Sequence, residues 1–137
     1  MEQYPLSATY QAPFVVTIFL TPMSNSIESL IIRALKIASR SSHPKTRVGA
    51  IAIRGHSVVS VAFNLHRMSI KDYHAHAEAR AIRKAEGTID RLVVVRTGKT
   101  PKRYDSFPCI KCLGTLRDKG VKELVYVMNG ETCHATV

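Results

Sequence analysis

Two short motifs constrain this chain more than anything else in it. They are His76-Ala77-Glu78 and, about thirty residues on, Pro108-Cys109-Ile110-Lys111-Cys112. Each stands at the head of a segment with helical patterning, and the apolar run Leu92–Val95 lies between them. A fold that uses both must lay a strand between two helices and bring the two helix starts to one end. Glu78 sharpens the demand. On the helix predicted from Ala75 to about Glu86, it falls among apolar positions marked by Ala75, Ala79 and Ile82. A carboxylate there is costly unless the interior uses it.

The rest of the chain supplies the elements. Ser26 is suited to cap a helix in which Leu30, Ile31, Ala34, Leu35 and Ala38 recur at helical spacing. Arg47 to Asn64 reads as two apolar strands around Gly55-His56, a hairpin. Gly87 stops the helix that carries Glu78, and a buried strand follows from Arg91. Pro108 is predicted to open the cysteine helix and Gly120 to close it. Another strand, Lys122–Met128, leads through the Asn129-Gly130 turn into a short last strand returning antiparallel. This order predicts a three-layer α/β/α sandwich with a mixed sheet of four to five strands. The chain of 137 residues suits one domain, expected over 26–137, with 1–25 as an N-terminal extension. Within that extension the apolar run Phe14–Leu20 is too short to span a bilayer, and no basic residue precedes it as in a secretory leader. A strand or a partner-binding tail is the expectation, and no membrane association is predicted.

Three cysteines are too few, and odd in number, for a disulfide-stapled scaffold, which points to a reducing compartment, the cytoplasm. There a C-x-x-C pair reads as metal binding or redox chemistry. Cys109 and Cys112 share one helix face close to a helix N-terminus, where thiolates are favoured. Two thiolates suit Zn²⁺, which takes four tetrahedral ligands. A closed structural site needs two more protein ligands, and a catalytic site needs one. His76, at the start of its own helix, is the candidate third, leaving a corner for water. Zinc brings such a water's pKa toward about 7, and Glu78 is placed to accept its proton. A thioredoxin-type redox pair explains the cysteines alone, but not His76 and Glu78.

The H-A-E of 76–78 followed by the P-C-I-K-C of 108–112 resembles the cytidine deaminase-like superfamily, which includes cytidine, deoxycytidylate and tRNA-adenosine deaminases. "RVGAIAI…VAFN" is similar to the family's opening strands, and "DKGVKELVYV" to its passage from the cysteine helix into the next strand. The resemblance runs from Ser26 to about Gly130. It implies Zn²⁺ as cofactor and hydrolytic replacement of an amino group by a carbonyl at C4 of cytosine or C6 of adenine. It also implies that Glu78 moves the protons, that Asn64 contacts the substrate sugar, and that the Ala77 N–H meets the pyrimidine carbonyl.

Clues to the substrate diverge. A histidine ligand resembles the deoxycytidylate and polynucleotide branches, whereas an antiparallel fifth strand resembles the cytidine branch. "DSFPC" departs from the L-E-P-C of tRNA-adenosine deaminases. A cytidine- or dCMP-type nucleoside or nucleotide is therefore the expected substrate. A net charge of +10 keeps a polynucleotide substrate as the alternative. A substrate phosphate would find Lys45, Arg47, Lys102 and Arg103 in loops, and Tyr73, Tyr104 and Phe107 could wall a base. A zinc-stapled binding module without catalysis is a third reading, which the presence of Glu78 opposes. Homo-oligomers are common in the family.

Overall fold

The computed structural model describes residues 26–66, 76–99 and 102–137. The predicted extension 1–25, the helix start at Ala75, and Tyr73 lie outside them. The elements are α1 (Ile27–Ala38), β1 (Arg47–Arg54), β2 (Ser57–Phe63), α2 (Ala77–Lys84), β3 (Arg91–Thr97), α3 (Ile110–Asp118), β4 (Glu123–Met128) and β5 (Glu131–Thr136). The strands form one mixed sheet in the order β2-β1-β3-β4-β5. Only β3 and β4 run parallel, with α3 as their crossover, and β5 returns antiparallel to β4 as predicted.

Strand alternation sorts the core into two layers. Ile51, Ile53, Val93, Val95, Val125 and Val127 face α1, which contributes Leu30, Ile31, Ala34, Ile37 and Ala38. Ala50, Ala52, Leu92, Val94 and Leu124 face the other way, against Ala77, Ala81 and Ile82 of α2 and Leu116 of α3. The result is the predicted α/β/α sandwich. α1 lies so close to β1 that a Cβ on Gly49 would sit 2.3 Å from the Ala34 carbonyl oxygen. Only glycine fits there.

Local signals set the ends of the elements. The Ser26 hydroxyl accepts from the Ser29 N–H at 3.3 Å and caps α1. Asn129 and Gly130 both take positive φ, the conformation that turns β4 tightly into β5. α3 closes with Gly120 at φ +81°, its N–H on the Arg117 carbonyl and the Val121 N–H on that of Leu116. Both active helices begin later than their sequence suggests. α2 starts at Ala77 with His76 as its N-cap, and α3 at Ile110 with Cys109 as its N-cap. α2 also ends at Lys84, short of Glu86, because Ala85 already turns to extended backbone (ψ 121°).

Candidate active site and metal centre

β3 and β4 run the same way, and each is preceded by one of the two helices over the same sheet face, so α2 and α3 lie side by side. The site is built where their N-termini meet, the usual place for a ligand in a sheet with parallel strands. His76 and Cys109 occupy matching N-cap positions with extended backbone, φ −68° and −69°, and neither side chain caps its own helix. Both side chains project from the helix ends toward one another. Cys112, one turn into α3, is fully buried.

The three side chains converge. His76 Nδ1 stands 3.5 Å from Cys112 Sγ and 3.8 Å from Cys109 Sγ, and all three ligand atoms lie within 4.8 Å of one another. Tetrahedral ligands at zinc bond lengths of about 2.0 Å to nitrogen and 2.3 Å to sulfur stand about 3.5 Å apart. The spacing therefore fits a zinc ion. Among the described residues no fourth His, Cys, Asp or Glu joins the group, and Cys109 is exposed, so the site opens toward solvent.

Electrostatics point the same way. The Cys112 thiol is held far above its ordinary range by burial first, then by the neighbouring Glu78 and Cys109 charges, while the Ala79 N–H works in the opposite direction. Ionising Cys112 beside these groups needs a cation among them, which a divalent ion supplies.

Glu78 is only 6% exposed. Burial raises its pKa, and a hydrogen bond from its own backbone N–H offsets part of that. Among the described residues no Lys, Arg or His forms an ion pair with it. The first bond of the α2 ladder runs from the Arg80 N–H to the His76 carbonyl, so the N–H groups of Ala77, Glu78 and Ala79 fall outside the ladder. Ala79 faces the Cys112 sulfur and Glu78 its own carboxylate, which leaves the Ala77 N–H for another acceptor.

Comparison with known families decides what this arrangement is. Residues 24–128 match the model of the cytidine and deoxycytidylate deaminase zinc-binding region. The chain belongs to this family. Its cofactor is Zn²⁺, as the His-Cys-Cys group requires. The fold also resembles the crystal structure of a mutant cytidine deaminase from Mycobacterium tuberculosis. The TM-score is 0.52 at 20% identity, covering 72% of this chain and 82% of that one. A comparison with curated proteins returns no match.

The other residues singled out in the deaminase sequence fall in several places. Asn64 is buried just past β2, where its Oδ1 accepts from the Val48 N–H at 2.9 Å and its Nδ2 donates to the Thr46 carbonyl at 2.9 Å. It thus holds the chain leading into β1. Arg103 pairs with Glu28 of α1, and Arg47 Nε donates to the His43 carbonyl at 3.3 Å. Both cations have structural partners, whereas Lys45 and Lys102 are exposed. Phe107 is 46% exposed and lies edge-on to Tyr126 with centroids 5.0 Å apart, while Tyr104 lies under the Arg96 guanidinium. Cys133 is a free, partly buried thiol on β5.

One residue escaped the sequence reading. Ser106 is buried, and its hydroxyl donates to the Val94 carbonyl at 2.8 Å and accepts from the Val127 N–H at 2.9 Å. Nothing in its polar loop singles it out; its one sequence cue is its place three residues before Cys109.

No helix among the described residues is long and apolar enough to cross a membrane.

Proposed function

We propose that the protein is a zinc-dependent hydrolase that deaminates a cytosine nucleoside or nucleotide of the cytidine or dCMP type. The observation that carries this reading is a convergent His76-Cys109-Cys112 group beside a buried carboxylate that no cation among the described residues pairs with. When bound, zinc supplies Lewis acidity that makes a water nucleophilic at neutral pH.

The chain's own residues do the rest. Glu78 takes the proton from the attacking water and passes it to the ring nitrogen. It then takes the second proton, from the hydroxyl now on the ring carbon, and delivers it to the amine, which leaves as ammonia as the carbonyl forms. One carboxyl can act as base and then acid because each transfer resets it. Burial raises its pKa and brings it nearer the neutral range where both roles are served. The Ala77 N–H, outside the helix ladder, donates to the pyrimidine carbonyl. Asn64 spends one Nδ2 hydrogen on Thr46 and directs the other to a sugar hydroxyl. Thiolate ligands call for a reducing compartment, and we place the protein in the cytoplasm.

A second reading has its own support. The net charge of +10 and the exposed Phe107 and Ile110 beside Cys109 suit a single-stranded polynucleotide, whose bases stack on such surfaces. An ammonia-release assay on cytidine, dCMP, single-stranded DNA and tRNA, with zinc measured on the same sample, separates the two. Turnover of cytidine or dCMP supports the nucleotide reading; turnover confined to DNA or tRNA replaces it with the second. Zinc without turnover of any of the four would leave a binding module. Glu78→Ala should abolish ammonia release while zinc stays bound.

A further inference from the structure

We infer that Ser106 is a positioning residue for the metal centre: its hydroxyl, inserted into the β3–β4 ladder, sets the place from which Cys109 reaches the ion. The inference rests on the metal-centre reading above.

The argument begins with the register of the two parallel strands. Arg91, Leu92 and Val93 pair with Glu123, Leu124 and Val125. Carried one residue further, Val94 would pair with Tyr126. In a parallel ladder the Val127 N–H would then bond directly to the Val94 carbonyl. That bond is replaced. The Ser106 hydroxyl lies between the two groups, accepting from the Val127 N–H at 2.9 Å and donating to the Val94 carbonyl at 2.8 Å. The regular pairing of β3 with β4 stops at Val93 and Val125.

The main chain of Ser106 is tied to the same point, its N–H donating to the Val127 carbonyl at 2.9 Å. One residue earlier, Asp105 Oδ1 accepts from the Asn129 N–H at 2.8 Å. The loop before α3 is thus bolted to the C-terminal end of β4 by three bonds, and to β3 by the Ser106 hydroxyl on Val94, by the Tyr104 N–H on the Arg96 carbonyl at 3.0 Å and by Arg96 Nη1 on the Asp105 carbonyl at 3.4 Å. From Ser106 only Phe107 and Pro108 intervene before Cys109. Pro108 is buried and its ring fixes φ, so little slack remains between the bolt and the sulfur. Cys112 is held differently, by its burial within α3. Cys109 is exposed, has no comparable packing, and depends on the loop for its position.

Without the hydroxyl, the Val127 N–H and Val94 carbonyl either remain buried and unpaired or close on each other. Closing would pull β3 and β4 together beneath the loop. Either outcome displaces Cys109 relative to His76 and Cys112, and residues that orient metal ligands typically govern affinity by about 10–100-fold.

The test uses full-length protein and the metal alone. Zinc affinity is measured by chelator competition, and the thiolate-to-cobalt charge-transfer bands are recorded on Co²⁺-substituted protein, well below the melting temperature. S106A should bind zinc about 10–100-fold more weakly and show shifted cobalt bands, and S106T, which keeps the hydroxyl, should restore both. A purely structural role would lower the melting temperature of S106A and leave affinity and bands at wild-type values, which overturns the inference. So would S106T behaving like S106A. If S106A does not fold, S106C fills the same space with a weaker donor and acceptor. It should fall below wild type in zinc affinity, and wild-type affinity in S106C counts against the inference. Failure of the wild-type protein to bind zinc would instead sink the metal-centre reading itself.

Discussion

Two glutamates in this molecule are treated in opposite ways. Glu123, at the start of β4, has its Oε1 2.6 Å from Arg91 Nε and its Oε2 2.7 Å from His134 Nδ1. Burial alone would raise its pKa, but the bonds from His134 and Arg91 prevail and hold it below the ordinary carboxylate range. Glu78 is more deeply buried, pairs with no cation among the described residues, and is held above that range by burial, which its own backbone N–H partly offsets. A carboxylate that serves the fold is neutralised by neighbours. One left buried without a counter-charge lowers stability, as the proposed proton-carrying role of Glu78 would require.

The largest effect that could break this contrast is on turnover. Glu78→Gln should lower kcat by at least about 10²–10⁴-fold, the usual contribution of a positioned proton carrier, with zinc content unchanged. An ammonia assay paired with metal analysis reads both. Substantial residual turnover would remove Glu78 from the chemistry.

Next come the two cysteines, which divide along the same line of inside and outside. In metal-free protein Cys112→Ser places a hydroxyl in the buried wall and should cost about 1–3 kcal/mol. Cys109→Ser, at an exposed position, should stay within about 0.5 kcal/mol. Both should bind zinc more weakly than wild type. Equal destabilisation by urea unfolding would show that the two walls of the site do not differ as described.

Stability against pH sharpens the comparison of the glutamates themselves. The lowered folded pKa of Glu123 gives stability that is present above its unfolded value, about 4.3, and is lost as pH falls through the folded value. The raised folded pKa of Glu78 has the opposite sign. In metal-free protein its contribution is present below about pH 4.3 and is lost as pH rises through the folded value. Metal-free E78Q should therefore melt above wild type at pH 7, with the gap closing toward pH 4. E123Q should melt slightly below wild type at pH 7, by the few tenths to about 1 kcal/mol expected of an ion pair about one third exposed to solvent. Thermal melts across pH 3.5–7.5 distinguish the two slopes, and parallel slopes would contradict the account.

The smallest effect concerns the outer wall. Ile110 is 83% exposed beside Cys109, so Ile110→Ser should change monomer stability by less than about 0.5 kcal/mol. A larger loss, accompanied by a fall in mass by light scattering, would show that a second copy covers this side chain in solution.

Much of this architecture could be read from residue order because each element carries its own signal. Helical spacing in α1, the Gly55-His56 and Asn129-Gly130 turns, and Gly120 after α3 are local features that tertiary contacts reinforced. The convergence of the His-Cys-Cys group was legible for a different reason. His76, Cys109 and Cys112 are uncommon residues whose spacing matters only if two helix starts converge, and they do. Helix boundaries were less legible. His76 and Cys109 sit in extended N-cap backbone, where their side chains turn to one another instead of capping. Pro108 therefore precedes α3 by two residues where sequence alone made it the first. Asn64 shows a further limit. Its type suggests a ligand contact, but the backbone bonds that orient its amide depend on the β1–β2 register and carry no sequence signal. Ser106 was illegible, since a lone serine in a polar loop acquires meaning only when β3 and β4 are seen to part around it.

The most direct test of the whole account is zinc K-edge X-ray absorption on the purified full-length protein. The account predicts two sulfur scatterers near 2.3 Å, one imidazole nitrogen near 2.0 Å, and one further light-atom scatterer that is not imidazole. C109S should reduce the sulfur count to one wherever metal is retained. A first shell of four protein ligands, or a sulfur count left at two in C109S, would contradict it.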